Sequence, residues 1–412
     1  MDILYTCCAG LDVHKDDVVV CVRRLRPRQR SPDLQTRTFD THTSALMQLA
    51  DWLTAEGVTH VAMESTGVYW RPIWNLLEGR FALMLVNAQH MRQVPGRKTD
   101  VKDSAWIAQL LQHGLLRASF VPPTAQRQLR ELTRQRRQLI HTRCDVTKRV
   151  QKVLEDGNIK LSSVATDVLG GSGWAMIEAL IGGESDAEAM AELARGRLRA
   201  KIPALREALH GRVTEHHRFL LRGLLDQVTQ LNGQIERLSA RIDEVLPSGY
   251  RDARTRLATI PGFGEHVAEC VLAEVGADMS VFPTAAHLAS WAGMCPGQRQ
   301  SAGKHGSGRT RHGNTWLRTV LVQAAWAASH TKNTYLSAQF HRLVGRRGKK
   351  RALVAVAHTQ LVIVYHLLKS GTEYRELGSD YFDRLDAERA TRKLVHRLEQ
   401  LGHTVTLTAP TA

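Results

Sequence analysis

The apolar residues of the first 120 positions change their spacing several times along the chain. Short apolar or β-branched runs, which are typical of strands, occur at 9–13, 18–22, 35–39, 58–63 and 81–86. Apolar residues three or four positions apart, which are typical of amphipathic helices, occur at 43–55, 67–78 and 101–113. The sequence Val-Pro-Pro at 121–123 interrupts this pattern and indicates the end of a domain.

The predicted order of elements in this domain is β-β-β-α-β-α-β-α. Three strands followed by alternating helices and strands predict an α/β domain with a mixed five-stranded sheet, the order of a ribonuclease-H-like fold. The rest of the chain is predicted to be mainly helical. The predicted domains are an α/β domain at 1–123, a coiled-coil and helical connector at 124–250, a C-terminal domain at 251–380 and a tail at 381–412.

Two long helices are predicted in the middle of the chain. Residues 125–155 have apolar residues on a three-four repeat, but Arg136 and Arg143 occupy two positions of that seam. Residues 214–246 have an unbroken seam, which consists of Leu221, Leu224, Val228, Leu231, Ile235, Leu238, Ile242 and Val245. Sustained heptads favour a coiled coil, within one chain or between chains. The alternative is an amphipathic helix that packs on its own domain.

The C-terminal domain contains two glycine-rich segments. Residues 260–264, followed by a predicted helix at 266–274, have the form of a helix-hairpin-helix turn, in which the amides that start the second helix can hold a phosphate. A plain glycine-rich turn is the alternative. Residues 293–313 contain six glycines around Ser301 among basic residues, which predicts a flexible loop.

The distribution of charged residues indicates what kind of partner the protein binds. Of the 412 residues, 43% are apolar and 23% are charged, which excludes a wholly disordered or fibrous chain. The 56 Lys and Arg residues exceed the 40 Asp and Glu residues, and the excess is concentrated at 125–155, 297–318 and 342–351. Such concentration favours a polyanion as partner. Because these segments lack the apolar face of an interfacial helix, nucleic acid is preferred over a membrane surface.

Membrane and secreted proteins do not fit the pattern. No run of 18 apolar residues occurs, and the best stretch, 352–368, is interrupted by polar residues. The N-terminus has Asp2 and no basic segment, unlike a signal peptide. The six cysteines contain no CxxC pair, so neither a disulfide framework nor a zinc site is expected. We expect a cytoplasmic protein with no membrane partner.

Four acids occupy the places where a ribonuclease-H-like sheet supplies metal ligands. Asp12 lies inside the first strand and Glu64 ends the fourth, while Asp100 and Asp103 lie three residues apart at the start of one helix. Phosphodiester chemistry on Mg²⁺ needs carboxylate oxygens that converge on two ions. Each acid alone has an ordinary explanation, as a turn, strand-end or helix-capping residue. Together, in this strand order, they predict a metal site.

Several motifs resemble the DEDD transposases of the insertion-sequence one-ten (IS one-ten) family, relatives of the Piv DNA invertases. In the first domain they are Leu-Asp-Val-His-Lys at 11–15, Met-Glu-Ser-Thr-Gly at 63–67 and Lys-Thr-Asp-Val-Lys-Asp at 98–103. In the C-terminal domain they are Ile-Pro-Gly-Phe-Gly at 260–264, the segment 282–296, Ser-Ala-Gly-Lys at 301–304 and Gly-Asn-Thr-Trp-Leu-Arg at 313–318. The resemblance covers nearly the whole chain, in order.

This resemblance implies a RuvC-like nuclease domain, a coiled-coil region and a transposase domain with a nucleophilic serine. The implied Mg²⁺ ligands are Asp12, Glu64, Asp100 and Asp103, which would hold two ions. The family loop commonly has Ser-Ser-Gly-Gly-Lys, whereas residues 300–304 are Gln-Ser-Ala-Gly-Lys. Ser301 is therefore the only candidate nucleophile within that motif, and Ser307 is a weaker alternative.

The resemblance also implies partners and a mechanism. Donor and target DNA would be recognised through a bridge RNA made by the element, and strands would be cut and exchanged through a 5′-phosphoserine link. Acids and serine would come from different subunits of a dimer or tetramer. The predicted nucleic-acid-binding residues are Arg136, Arg137, Arg143, Arg299, Lys304, Arg309, Arg311, Arg318, Lys349 and Lys350. The alternatives are a Holliday-junction-type metal-dependent endonuclease without a covalent intermediate, and a non-catalytic nucleic-acid-binding protein.

Overall fold

The computed structural model of the chain describes residues 3–29, 31–87, 103–297, 300–301, 304–305 and 310–408. It divides into two compact units, residues 1–122 and residues 123–412. The first unit combines a sheet with helices, and the described part of the second is almost entirely helical.

The first unit contains the predicted mixed five-stranded sheet. Its strands are β1 (Cys7–Val13), β2 (Asp17–Arg24), β3 (Asp33–Asp40), β4 (His60–Glu64) and β5 (Ala82–Val86). They lie in the order β3-β2-β1-β4-β5. Strand β2 is antiparallel to β1 and β3, whereas β4 is parallel to β1 and β5. The helices are α1 (Thr43–Ala55), α2 (Trp70–Leu77) and α3 (Asp103–Gln112). The predicted sheet is confirmed, and its strand ends differ from the prediction by at most two residues.

The two faces of this sheet are covered by different helices. On one face, Leu11, Val20 and Met63 pack with residues of α1 and α2 in a large apolar core. On the opposite face, Cys8 and Ala62 pack with apolar residues of α3. Because side chains alternate along a strand, each position of β1 and β4 belongs to one face or the other.

The second unit begins with two long helices. The long helices are α4 (Thr124–Asp156) and α9 (Glu215–Val245). Four shorter helices lie between them in the sequence: α5 (Leu161–Val164), α6 (Gly171–Gly182), α7 (Ala187–Ala191) and α8 (Ile202–Leu209). Helices α4 and α9 run antiparallel, since Arg143 contacts Asn232 while Arg136, two turns earlier, contacts Ser239. Their buried apolar residues include Leu129, Val146, Val228, Leu231 and Ile242. Much of the predicted seam is thus covered within one chain, and pairing between chains stays a prediction.

The remaining described elements are helices and one short hairpin. The helices are α10 (Ser248–Ala258), α11 (Glu265–Val275), α12 (Ala285–Trp291), α13 (Thr315–Ser329), α14 (Tyr335–Arg347), α15 (Lys349–Ser370), α16 (Tyr381–Leu385) and α17 (Ala387–Gln400). The hairpin consists of β6 (Gln300–Ser301) and β7 (Lys304–His305). Short 3₁₀ helices occur at Gly196–Lys201 and Met279–Val281.

The turn between α10 and α11 packs closely on α13. Gly262 has a φ of +84°, and a Cβ at this position would lie 2.2 Å from the carbonyl oxygen of Ala324. Both the turn conformation and the close approach therefore require glycine here. The fold alone explains this residue, and phosphate binding by the turn stays a prediction.

Helix α15 is apolar because it is part of the core of the second unit. Among the described helices it is the one long and apolar enough, by length and composition, to cross a membrane. Its Val356, Leu361 and Val364 side chains are buried, and the hydroxyl of Tyr365 donates a hydrogen bond to the carbonyl of Phe282 at 3.1 Å. These contacts account for its composition within the fold.

We expect Gly10→Ala to destabilise the first unit by about 3 kcal/mol, because overpacking costs of this order are usual where backbone cannot yield. A Cβ at Gly10 would lie 2.3 Å from both the amide nitrogen of Ala108 and the carbonyl oxygen of Ser104 in α3. Urea denaturation measures the change. Gly233→Ala in α9 is the matched control: a Cβ there meets nothing within 4 Å, so helix propensity should stabilise the chain by up to about 1 kcal/mol. Equal stability of Gly10→Ala and the parent chain would contradict the close packing of α3 on β1 at Gly10.

Candidate active site and nucleic-acid interface

Asp12 and Glu64 lie on the same face of the sheet, in neighbouring strands. Strands β1 and β4 are parallel and Leu11 pairs with Met63, so each acid is one position further along its own strand. Leu11 and Met63 belong to the core on the α1 and α2 side. Because side chains alternate and adjacent strands are about 4.8 Å apart, the two carboxylates are neighbours on the α3 side.

The first residue of α3 brings a third acid towards this face. Cys8 of β1 contacts the carbonyl of Ala108, and Gly10, two residues further along the strand, also contacts the preceding turn of the helix. Asp12 is two residues further again, so it lies towards Asp103, where α3 begins. The strand and the helix therefore place acids from distant parts of the sequence on one side of the sheet.

The Asp12 carboxylate is in an unfavourable electrostatic environment. Its side chain is 19% exposed, and burial is the main cause that raises its pKa above the ordinary range. His14 lowers this pKa, whereas Asp103 and Asp17 raise it by repulsion. In the described part of the chain, Asp12 forms no ion pair with Lys or Arg. A carboxylate in this situation is suited to a divalent cation, which would supply the missing positive charge.

His14 is a neighbour of the acids that the sequence did not single out. Its Nδ1 lies 3.9 Å from Oδ1 of Asp12 and 3.6 Å from Oδ1 of Asp17. His14 lies between the predicted strands at 9–13 and 18–22, where the spacing indicates a turn and assigns this residue no role. Its spacing of two residues from Asp12 was the available signal, because residues two apart share a face of an extended chain.

The acids fit a magnesium site by their chemistry, but the four-acid centre stays a prediction. Carboxylate oxygens are the ligands that Mg²⁺ prefers. Asp100 lies outside the described residues. Within the ranges that the structure describes, no group of three or more His, Cys, Asp or Glu residues is arranged to hold a metal ion.

The predicted serine loop contains a hairpin. Ser301 in β6 pairs with Lys304 in β7, and an antiparallel bridge between Pro296 and Thr310 closes the loop at its base. The loop is thus closed by backbone pairing at two places, the hairpin and the bridge at its base. Within this loop, the predicted site residues and side chains that lie outside the described part are Arg299, Ser307, Arg309 and the side chains of Ser301 and Lys304.

The structure corrects the prediction that Arg136 contacts nucleic acid. Its side chain is 3% exposed, and its Nη2 donates to Oε2 of Glu269 at 2.7 Å. Glu269 is also buried and accepts a second hydrogen bond from Nη1 of Arg254 at 2.9 Å. The seam position turns Arg136 towards the interior, where it neutralises a buried acid and is not accessible to a polyanion.

Two other predicted arginines of α4 also have partners within the second unit. Nη1 of Arg143 donates to Oδ1 of Asn232 at 2.9 Å. Arg137 is half-buried, donates to the carbonyl of Trp316 at 3.2 Å, and has its pKa lowered by burial. Nucleic-acid binding by these two residues stays a prediction, and it would compete with contacts that already stabilise the fold.

The remaining described candidates are accessible. Arg311, Lys349 and Lys350 are exposed and Arg318 is half-buried. Nζ of Lys349 lies 4.2 Å from the ring centroid of Trp326. None of the four forms an ion pair with an acid in the described ranges. They therefore differ from the α4 arginines in having their charge available to a ligand.

We expect Arg136→Ala to destabilise the second unit by about 2 kcal/mol, because the buried Glu269 loses one of its two arginine partners and keeps only Arg254. The loss is measured by chemical denaturation. Arg136→Met combined with Glu269→Leu removes both charges and should recover most of it. A loss below about 0.5 kcal/mol for Arg136→Ala, the usual effect of a surface substitution, would contradict a structural role.

Two family comparisons match different parts of the chain. The sequence model for DEDD transposases of the IS110 type, described as a transposase, matches residues 9–159. The model described as "Transposase IS116/IS110/IS902 family" matches residues 254–342. The first includes Asp12, Glu64, Asp100 and Asp103, and the second includes Ser301. Together the two matches cover more than half of the chain.

Individual relatives match over shorter regions. The insertion element IS110 uncharacterized 43.6 kDa protein of Streptomyces coelicolor is 32% identical over 157 residues, which are 37% of each chain. The transposase for insertion sequence element IS1111A of Coxiella burnetii is 36% identical over 29% of this chain and 34% of its own. The pilin gene-inverting protein of Moraxella lacunata is 30% identical over 36% of this chain and 45% of its own. The chain thus aligns with between 34% and 45% of the length of these relatives. Because both family models match in order, it belongs to the IS110 family of transposases.

Proposed function

We propose that the chain is a transposase that cuts and rejoins DNA strands at an insertion sequence through a covalent 5′-phosphoserine intermediate. The observation that supports this most directly is the placement of Asp12 and Glu64 side by side on one sheet face, towards the start of α3. Acids so arranged from separate elements serve phosphodiester chemistry. The matched family regions contain these acids and Ser301.

The proposed ligands of two Mg²⁺ ions are Asp12, Glu64, Asp100 and Asp103. Bound ions would act as Lewis acids that stabilise negative charge on the reacting phosphate. The contribution of the protein is preorganisation, because β1, β4 and α3 hold the carboxylates of Asp12, Glu64 and Asp103 before substrate binds. The half-buried position of Asp12 strengthens its interaction with any cation, since the effective dielectric is lower there than in water.

The proposed nucleophile is Oγ of Ser301. The oxygen attacks the phosphorus in line, a serine–phosphate bond forms, and the bond from phosphorus to the 3′ oxygen breaks. The serine proton is lost and the departing 3′ oxygen gains one. The 3′-hydroxyl of another strand then attacks the same phosphorus, a new phosphodiester bond forms, and the serine–phosphate bond breaks. The serine oxygen regains a proton as the hydroxyl loses one, so strands are exchanged without net hydrolysis. Arg299, Lys304, Arg309 and Arg311 are proposed to balance charge at the phosphate.

The proposal also includes partners. The protein acts on donor and target DNA, a bridge RNA encoded by the element selects both, and a dimer or tetramer contributes acids and serine from different subunits. The resemblance in the serine motif and the accessible basic residues support these partners. Purification from the native host followed by sequencing of bound RNA tests the guide, and light scattering of the complex tests the subunit count.

Asp12→Asn is expected to raise the melting temperature at pH 7 in EDTA by about 4 °C, the shift of a 1 kcal/mol change in a small domain. The folded-state pKa of Asp12 is raised, so the charged carboxylate destabilises the fold at neutral pH, and this cost disappears as pH falls through that pKa. The advantage of the variant should therefore shrink on acidification. Added Mg²⁺ should stabilise the parent chain by about 2.7 kcal/mol at a hundredfold excess over Kd and the variant much less.

The matched control for this experiment is Asp51→Asn, since Asp51 is an exposed acid of the same unit, paired with Arg80. It should keep the full response to Mg²⁺. An equal response to Mg²⁺ in the parent chain and Asp12→Asn would remove Asp12 from the proposed ligands.

Ser301→Ala is expected to abolish covalent protein–DNA adducts, because the hydroxyl oxygen is the proposed attacking atom. The assay incubates the guide-loaded protein with end-labelled donor DNA and Mg²⁺ and separates adducts by denaturing electrophoresis. Ser307→Ala is the control within the same loop and should form adducts at the parent level.

Two outcomes would count against the phosphoserine step. Adducts that persist in Ser301→Ala would exclude this serine. Free 5′-phosphate ends without any adduct in the parent protein would favour the water-dependent endonuclease instead.

A further inference from the structure

A basic cavity lies at the base of the serine loop in the second unit. It has a volume of about 880 Å³ and is bounded by the start of α13, by α14 and by α15. Pro296 and Thr310, the two residues whose bridge closes the loop, both line it. Its volume is within the ~300–1,000 Å³ of typical small-molecule sites, so it exceeds what a single small ion needs.

Four cationic side chains line this cavity: Arg318, Arg347, Lys350 and Arg351. No Asp or Glu is among its described lining residues. None of the four cations has an ion pair or hydrogen bond with a described residue, unlike Arg136, which is neutralised by Glu269. The cavity therefore concentrates uncompensated positive charge in a concave site, which raises its affinity for an anion.

The start of α15 adds to this positive potential. Gly348, with a φ of +76°, separates α14 from α15 and provides no side-chain cap. The first turn of α15 contains Lys349, Lys350 and Arg351 and no acid. Cations at a helix N-terminus are opposed by the helix dipole, and the free amides there favour an anion. This 22-residue helix thus begins with an arrangement that a bound anion would stabilise.

The wall of the cavity also contains an unsatisfied acceptor. Nε2 of Gln339 donates to Oγ1 of Thr359 at 2.9 Å, but Oε1 of Gln339 is buried without a partner among the described residues. His358 is next to this pair in the lining, and burial lowers its pKa. A buried acceptor without a donor costs free energy, so a ligand that offers both an anionic group and a hydrogen-bond donor fits the cavity better than an inorganic anion does.

We propose that this cavity binds a backbone phosphate, with its attached nucleotide, of a nucleic-acid strand and so fixes that strand beside the base of the serine loop. The phosphate contacts the four cations, and the nucleotide reaches the Gln339 side of the cavity. The link between this cavity and the reaction at the serine loop rests on the function proposed above. The binding of a nucleic-acid phosphate in the cavity does not depend on that function. DNA and guide RNA share this chemistry, and the experiment distinguishes them.

The test measures binding of the full chain to fluorescein-labelled single-stranded 20-mers of DNA and of RNA with the same sequence, by anisotropy in EDTA so that no cleavage occurs. The variant is Arg347→Gln combined with Lys350→Gln. We expect about tenfold or greater weakening, the usual effect of losing charge-assisted hydrogen bonds, and a salt slope reduced by about 1.4, for two lost contacts on a single strand.

The matched control is Lys332→Gln combined with Arg346→Gln, which removes the same charge from exposed residues outside the cavity. It should weaken binding by no more than about twofold, because neither side chain lines the cavity and exposed charges are largely screened by salt. Weakening confined to DNA or to RNA supports the site and identifies the strand that it holds. Equal affinity of the cavity variant and the control, for both oligonucleotides, overturns the proposal.

The outcome is separable from that of the phosphoserine step. Normal adduct formation together with unchanged binding by the cavity variant would refute the cavity and leave the serine mechanism intact. Weakened binding by the cavity variant, together with adducts that persist in Ser301→Ala, would leave the cavity and refute the serine mechanism.

Discussion

The close crossing of α3 over β1 is the contact on which the candidate active site depends. Gly10 has no side chain, so the helix backbone lies directly against the strand. This distance determines where α3 begins relative to the sheet and therefore how near Asp103 is to Asp12. Any larger residue at the crossing would lift the start of the helix away from the two strand acids. The position of the acids is thus set by packing, before any cation or substrate binds.

The positive charge of the chain has two different uses. In α4, Arg134 and Arg136 form ion pairs with the buried acids Glu274 and Glu269, so they hold helices together. Around the cavity beside the serine loop, Arg347 and Lys350 have no such acids among the described residues. Net charge by itself does not separate these cases. What separates them is the presence of a carboxylate on the element packed opposite.

The sequence predicted the sheet well because its interior strands are short apolar runs with both faces covered, which leaves a strong pattern in a few residues. It placed Asp12 and Glu64 in their strands for the same reason. It could not place Arg136, because a heptad position indicates only that a residue faces a partner helix. The partner is Glu269 of α11, which lies more than a hundred residues further along the chain. His14 escaped notice because the turn pattern does not show which way a ring points.

The antiparallel packing of α4 on α9 limits how two copies of the chain can associate. Much of their shared seam is already buried within one chain, and Arg136 is buried next to it. A second copy could enter this buried part of the seam only by helix exchange, with its own α4 displacing the resident one. Such a swap would require a buried guanidinium to separate from Glu269 along the way, which makes it slow. Any rapid, reversible association would therefore use residues outside this buried part of the seam, and those residues can change in sequence without disturbing the helical pair.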